Sequence, residues 1–369
     1  MKKDFYVKYI HLLYGHDTKF SGFLVEMIND PVNGFDASEH LFITRYKNVY
    51  DELSKYENVI LDEDKKNFYK KYYKHCHLMI SHGGEGTVRD FFTPKRIKKK
   101  IVHRYWGGAR VTGAKTEGKS FIDKIKIKIR KWVFRRNYEA YAAIGVANNT
   151  DILDLSRILR GVKYYRLSYV GDSYNNVLND ISSEMHSRES EVGLDRKKKK
   201  VLLGHRGTAE NNHIELLRKL NKYDTSKFDV YILLSYGDRE YIDDVKAHIA
   251  NENYTNVNVV DSFMEFSEFA KFLSQMDIAI FDGKTSYALG NISLMLYFRK
   301  TIYLNSDGII CKAFDYENTP HRLTSDVGKI SFDEFAEPVI YPSCFSSDLL
   351  PADIETKTDR WKQMLADFD

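Results

Sequence analysis

The sequence predicts an α/β protein built from two doubly wound domains, each a mainly parallel sheet with helices on both faces. Three observations carry this. Short runs of aliphatic and β-branched residues alternate with longer segments of helical periodicity, as a parallel sheet covered on both faces requires. A polar, charged stretch at 171–199 interrupts the alternation, running into Arg196-Lys197-Lys198-Lys199-Lys200, and the pattern then restarts. The 369 residues suit two domains, and 43% hydrophobic content is ample for two cores.

The elements read in order as follows. Tyr6–Tyr14 is a strand ending at Gly15, and Phe20–Ile28 is the helix after it. His40–Thr44 and Val59–Leu61 are short strands. Leu78–Ser81 is a strand running into His82-Gly83-Gly84, and Lys100–Tyr105 is one running into Trp106-Gly107-Gly108. Tyr141–Val146 precedes Asn148-Asn149-Thr150-Asp151, a helix cap. Tyr164–Tyr169 closes the first half. Past the interruption come the strands Val201–Leu203, Val230–Leu234, Val257–Val260, Ile278–Phe281 and Thr301–Leu304, with helices at Phe266–Gln275 and Tyr287–Phe298. Trp361, Met364 and Leu365 give the tail Ala352–Phe368 a helical face. The domains are expected at 1–175 and 200–345, with 176–199 as linker and 346–369 as a C-terminal helix packing back on the first domain. No repeat of fixed period occurs.

Composition narrows the function. Net charge is only +4, but Lys and Arg crowd two segments of the first half. Cys76, Cys311 and Cys344 lie far apart in no metal-ligand spacing, which fits a reducing cytoplasm, and no metal or other cofactor is expected. The start, MKKDFYVKYIHLLYG, is broken by Lys8 and His11 and does not read as a signal peptide. No apolar run is long enough to span a membrane, so membrane contact is expected to be peripheral, on the inner face of the cell membrane.

Two Rossmann-like domains in tandem are expected to face a central cleft, and ligands of open α/β sheets bind at the carboxyl ends of the strands. VLLGHRGTAENNHIELLRKL, Val201–Leu220, reads as strand, glycine-containing loop and amphipathic helix. Such a loop is expected to offer free backbone N–H groups to an anion at a helix N-terminus, with Arg206 adding a forked donor; the alternative is an ordinary turn.

Several motifs then coincide. VHRYWGGARV (Val102–Val111) resembles the His-x-x-Trp-Gly motif of the 4-acetamido-4,6-dideoxygalactose (Fuc4NAc) transferases of enterobacterial common antigen synthesis, glycosyltransferase group 56. AIGVANNTDILDL (Ala143–Leu155) is similar to a later strand and helix start in that family's first domain. The Val201 segment is similar to its Gly-Asn-Ser-Gly loop, Ser235-Tyr236-Gly237 to its Gly-Tyr segment, and FMEFSEFAKFLSQMDIAIF (Phe263–Phe281) with Gly290 to its second-domain core. The order and spacing hold over most of the chain. Gly107-Gly108-Ala109 departs from the family's Trp-Gly-Ala-Asp and loses its acidic residue. The resemblance implies a GT-B fold, a hexosyltransferase activity and transfer of a deoxy- or acetamido-sugar, with inversion, from a nucleotide diphosphate to a lipid-diphosphate-linked glycan.

Candidate roles follow from the chemistry of that reaction. A base must take the proton of the acceptor hydroxyl. His16 with Asp17, after the first strand, is one candidate, and Glu85 is its rival. His82, Gly83, Gly84, Trp106 and Gly107 are expected on the acceptor side, with Trp106 either stacking on a sugar or packing inward. Gly204, Arg206, Gly207 and Thr208 are expected at the donor diphosphate, and Tyr236 and Gly237 beside the nucleotide. Phe263 and Met264 either seat the base or pack the core. Ser286, Gly290 and Asn291 are expected near ribose and phosphates.

KRIKKKIVHR (Lys95–Arg104) and KIKIKIRKWVFRR (Lys124–Arg136) are strongly basic. The alternating KIKIKI reads as an exposed strand or, with Phe121, Ile122, Ile125, Ile129, Trp132 and Val133 on one face, as a helix; the resemblance favours the helix. A basic amphipathic helix carrying Trp suits an anionic membrane surface. No nucleic-acid module accompanies the charge. Two other functions share this layout: a nucleotide-sugar epimerase, and a non-catalytic membrane-surface binding protein.

Overall fold

The computed structural model describes residues 6–13, 18–64, 68–83, 91–106, 120–168, 172–191, 198–347, 349–351 and 354–369. The chain divides into two compact units, one formed by 1–174 with 352–369 and the other by 175–351.

The first unit holds a seven-stranded sheet of β1 (Val7–Leu13), β2 (His40–Thr44), β3 (Val59–Leu61), β4 (Cys76–His82), β5 (Ile101–Arg104), β6 (Ala143–Val146) and β7 (Tyr164–Arg166). Its order is β3-β2-β1-β4-β5-β6-β7, and every pairing is parallel. Alternate residues of β1 enter two different cores. Tyr9 and Leu13 pack with Leu24, Ile28, Phe42 and Trp361, while Ile10 and Leu12 pack with Met79, Ile101, Phe134 and Tyr138 on the other face.

The second unit holds β8 (Lys199–Leu203), β9 (Phe228–Leu233), β10 (Val257–Val260), β11 (Ile278–Phe281), β12 (Thr301–Leu304) and β13 (Arg322–Leu323). They are again all parallel, in the order β10-β9-β8-β11-β12-β13. Both sheets therefore reverse their winding direction once, between β1 and β4 and between β8 and β11. The crevice at such a reversal is where open α/β sheets bind ligands.

Three elements depart from expectation. The segment 176–199, read as linker, is mostly helix: Asp172–Glu191 is a single helix, with Leu178 and Ile181 buried. β13 is a two-residue strand added at the sheet edge. The helix after β8 begins only at His213, because a 3-10 turn, Ala209–Asn211, comes first.

The final helix, Ile354–Ala366, packs its Trp361, Met364 and Leu365 into the first unit's core. Trp361 has no exposed surface, and its indole N–H donates to the Ser168 carbonyl at 3.0 Å. Trp361→Ala is therefore expected to cost the first unit about 3–5 kcal/mol, the usual cost of emptying so large a buried site. Urea unfolding followed by circular dichroism measures it; a loss below about 1 kcal/mol would contradict this packing.

Candidate functional site

In the second unit the reversal point lies between the segments after β8 and β11. The His205 and Tyr287 rings stack across it at 4.7 Å, and the Tyr287 hydroxyl donates to the Glu210 carbonyl at 2.9 Å. Below them Asp282 ties four loops together. Its carboxylate accepts from Asn212 Nδ2 and Asn305 Nδ2, both at 2.9 Å, and from the Thr324 hydroxyl. The sequence reading passed over Asp282; an acidic residue immediately after a buried strand at the reversal point was its signal.

The Gly204–Thr208 loop is not the open amide cradle expected of it. The Gly204 N–H donates to the Ile280 carbonyl, Gly207 N–H to Tyr236 and Thr208 N–H to Arg206. The His205 N–H donates to Asn211 Oδ1 at 3.2 Å, and the His213 N–H to the Tyr241 hydroxyl at 3.1 Å. The loop is knotted on itself by buried Asn211, whose Nδ2 donates to the Arg206 carbonyl at 3.0 Å. Gly237, at φ 141°, presses against the Gly207 backbone, where a Cβ would collide. What the loop does offer an anion is the Arg206 guanidinium, whose Nε leans on the Thr208 hydroxyl at 3.3 Å.

Free amides lie instead on the other side of the reversal point. The helix Leu289–Tyr297 starts after Ala288 with no side-chain cap. Among the described residues no hydrogen bond uses the N–H groups of Leu289, Gly290 or Asn291. Open space surrounds the Gly290 Cα, and the buried Asn291 Nδ2 has no partner. Unsatisfied first-turn amides and the helix dipole attract negative charge. Beyond β10, Phe263 is 83% exposed, so it does not pack the core. Tyr236 is also exposed, at 55%. Met264, beside Phe263, is half-buried, as is Ser286 near the start of the Leu289 helix.

In the first unit the reversal point lies between β1 and β4. His16 and Asp17 follow β1, and Gly84 and Glu85 follow β4; all four lie outside the described residues, as does Gly107. Across β2, β1 and β4 three buried imidazoles form a chain. His11 Nε2 is 2.8 Å from His40 Nδ1, and His11 Nδ1 is 3.0 Å from His82 Nε2. Trp361 stacks on His82 at 5.9 Å. His82 is the last residue of β4, with Gly83, at φ 126°, directly after it. Trp106, beyond β5, is 44% exposed, and the Arg104 guanidinium lies 5.0 Å over its ring.

Two groupings bring together residues distant in the sequence. Cys311 Sγ and Asp315 Oδ1 lie 3.4 and 3.5 Å from His321 Nε2. Lys95, Lys98, Arg135, Arg136 and Arg160 converge on one pocket.

Comparison with known proteins defines the class. HepE of Anabaena in complex with UDP is similar over 98% of this chain and 100% of its own, with TM-score 0.61 at 10% identity. A glycosyltransferase from Rickettsia africae is similar over 98% and 94%, with TM-score 0.56 at 12% identity. UDP-GlcNAc 2-epimerase from Neisseria meningitidis, bound to UDP-GlcNAc, is similar over 98% and 100%, with TM-score 0.51 at 11% identity. The fold is GT-B, and the chain is a glycosyltransferase. Within that class, residues 176–331 match the family described as 4-alpha-L-fucosyltransferase glycosyl transferase group 56.

Burial sets a pH limit on both units. It pushes His40, His205 and His213 down to about 4 and His103 down to about 3. It holds His11 and His82 well below the ordinary imidazole range. The folded rings stay neutral, whereas in the unfolded chain they take a proton near the ordinary 6.5. Their stability contribution is complete above about pH 6.5 and is lost as pH falls towards 4. The loss is up to about 1.4 kcal/mol per pH unit for each ring. Urea midpoints measured from pH 7.5 to 4 should fall steeply below 6.5; a flat profile would contradict the buried neutral state.

Proposed function

We propose that the protein transfers a deoxy- or acetamido-sugar from a nucleotide diphosphate to a lipid-diphosphate-linked glycan, with inversion and without an essential metal, in bacterial surface polysaccharide synthesis. The single observation that carries this best is the pairing of Arg206 with the uncapped, Gly290-bearing helix start across the second unit's reversal point. A diphosphate leaving group needs cations and aligned dipoles where its charge develops, and this pair supplies both without a metal. Tyr236 and Phe263, exposed at the strand ends on the same sheet, suit a nucleoside ring.

In the reaction the acceptor oxygen attacks the anomeric carbon. Its proton passes to a base, the bond from that carbon to the diphosphate oxygen breaks, and the nucleotide diphosphate departs. His16, Asp17 and Glu85 remain the candidate bases, because they follow the two strands that flank the first unit's reversal point. His82, the last residue of β4, is kept neutral by burial.

The acceptor's lipid is supported by the helix Phe121–Tyr138. It buries Ile127, Phe134, Asn137 and Tyr138 while Phe121, Ile122, Ile125, Ile129 and Trp132 are exposed. At about 100° per residue the two stripes lie on opposite sides of the helix. Lys124, Lys128, Lys131 and Arg135 flank the outward stripe. An apolar stripe edged by cations suits a peripheral seat on an anionic membrane, on its cytoplasmic side. Among the described residues no helix is long and apolar enough to cross a membrane.

Two measurements test the reading. Thermal shift with UDP, TDP and GDP should find one nucleotide that stabilises the protein by about 2.7 kcal/mol at 100 times its Kd, and Arg206→Ala should weaken that nucleotide at least about tenfold with unfolding unchanged; unaltered affinity by calorimetry removes Arg206 from the site. Separately, removing the base should lower turnover by about 10²–10⁴-fold with little change in donor binding. His16→Ala and Asp17→Asn are expected to show it; if both retain activity and Glu85→Gln does not, the base is Glu85.

A further inference from the structure

The cationic pocket of the first unit, of about 620 Å³, is not part of the site described above. Lys95 and Lys98 lie on the short helix leading into β5, Glu139 and Ala140 lead into β6, and Arg160 leads into β7. In a parallel sheet these approaches all lie at the amino edge, opposite the carboxyl edge where the reversal point opens. The helix Phe121–Tyr138 connects the two edges, so its outward stripe runs from one towards the other and brings Trp132 and Arg136 to the pocket.

The lining is built for an anion. Five basic side chains face one carboxylate, that of Glu139. Glu139 is already engaged: its Oε1 accepts from Arg135 Nε at 2.8 Å and from the Arg160 backbone N–H at 3.0 Å. Lys95, Arg136 and Arg160 form no ion pair among the described residues. Lys98 is only 4% exposed, and its Nζ donates to Asn137 Oδ1 at 2.8 Å. Like charges gathered in a concave site repel one another and raise the local attraction for an anion.

Aromatic rings share the lining. Phe91 and Trp132 pack at 5.2 Å, and the Arg136 guanidinium lies over both rings at 5.8 and 5.7 Å. Trp132, 54% exposed, belongs both to this lining and to the outward apolar stripe. A cationic lining that shares aromatic rings with an apolar stripe matches a molecule with an anionic head and an acyl body.

We propose that this pocket seats the phosphate of an anionic phospholipid headgroup, separately from the acceptor, and so anchors the first unit at the end of its membrane-facing helix. This rests on the peripheral-membrane part of the reading above. Charge complementarity selects the anionic headgroup, and the Trp132 continuity selects a lipid over a free phosphate.

The test uses the full chain and dihexanoyl-phosphatidylglycerol below its micelle concentration, followed by calorimetry. Saturable one-to-one binding is expected, weakened at least about tenfold in Lys95→Gln/Arg136→Gln/Arg160→Gln, which removes three of the cations that would face the phosphate. The urea midpoint and nucleotide affinity should not change. Arg160→Gln alone, which leaves the backbone bond to Glu139 intact, should move affinity in the same direction if the triple variant is unstable. Lys124→Gln/Lys128→Gln/Lys131→Gln should weaken binding to phosphatidylglycerol vesicles yet keep the short-chain lipid. Wild type that ignores the short-chain lipid while still binding vesicles overturns the pocket assignment alone. Equal binding by the triple variant overturns it too, as does inorganic phosphate competing at the same concentrations as the lipid. Wild type that ignores phosphatidylglycerol vesicles at low salt overturns the membrane reading and the proposal together.

Discussion

A parallel strand can be added to a sheet only by carrying the chain back over one face, and right-handed crossovers dictate which face. A sheet that grows in one direction from its first strand therefore buries only one side. Both units meet this constraint by growing outward from an inner strand twice, in opposite directions, which covers both faces with helices. The cost is a seam between β1 and β4 and another between β8 and β11, where the segments leaving neighbouring strands diverge. Alternate residues of β1 consequently enter separate cores, and polar groups that a continuous apolar core would exclude gather at the seams.

Each seam is closed by a different polar device. In the second unit it is a charge: the Asp282 carboxylate gathers amide and hydroxyl donors from three other loops. A carboxylate is acceptor-only, so it can pin several donors at one point. In the first unit the device carries no charge. A neutral imidazole has one donor and one acceptor, so the central His11 donates to one neighbour and accepts from the other. That chain can be dry because each ring also stacks, on Phe42, Trp361 or its fellow histidines.

What the sequence made legible follows from where the information is stored. The bounds of β2, β3, β10, β11 and β12 follow short runs rich in aliphatic and β-branched residues, the composition a pleated, packed surface favours. The helix Asp172–Glu191 escaped notice because Leu178 and Ile181 are its only fully buried apolar positions among those described, too few to set a period against the surrounding charge. The two residues of β13 carry no period at all. At the candidate site, the glycines and Arg206 were visible as types. That the Gly204 and Gly207 amides are already bonded was not, since Ile280 and Tyr236 arrive from elsewhere in the chain. The uncapped helix at Leu289 was legible only as Gly290 and Asn291, and the five pocket cations come from three separate stretches.

The first unit is discontinuous, because its core needs Trp361, Met364 and Leu365 from a segment that follows the whole of the second unit. During synthesis every strand of the second unit is made before that segment exists. The first unit meanwhile waits with an apolar surface open beside the imidazole chain, in the state most exposed to aggregation and chaperone capture. Its maturation is thus timed by the arrival of the last helix, and premature termination anywhere in the second unit leaves the first without its closing wedge.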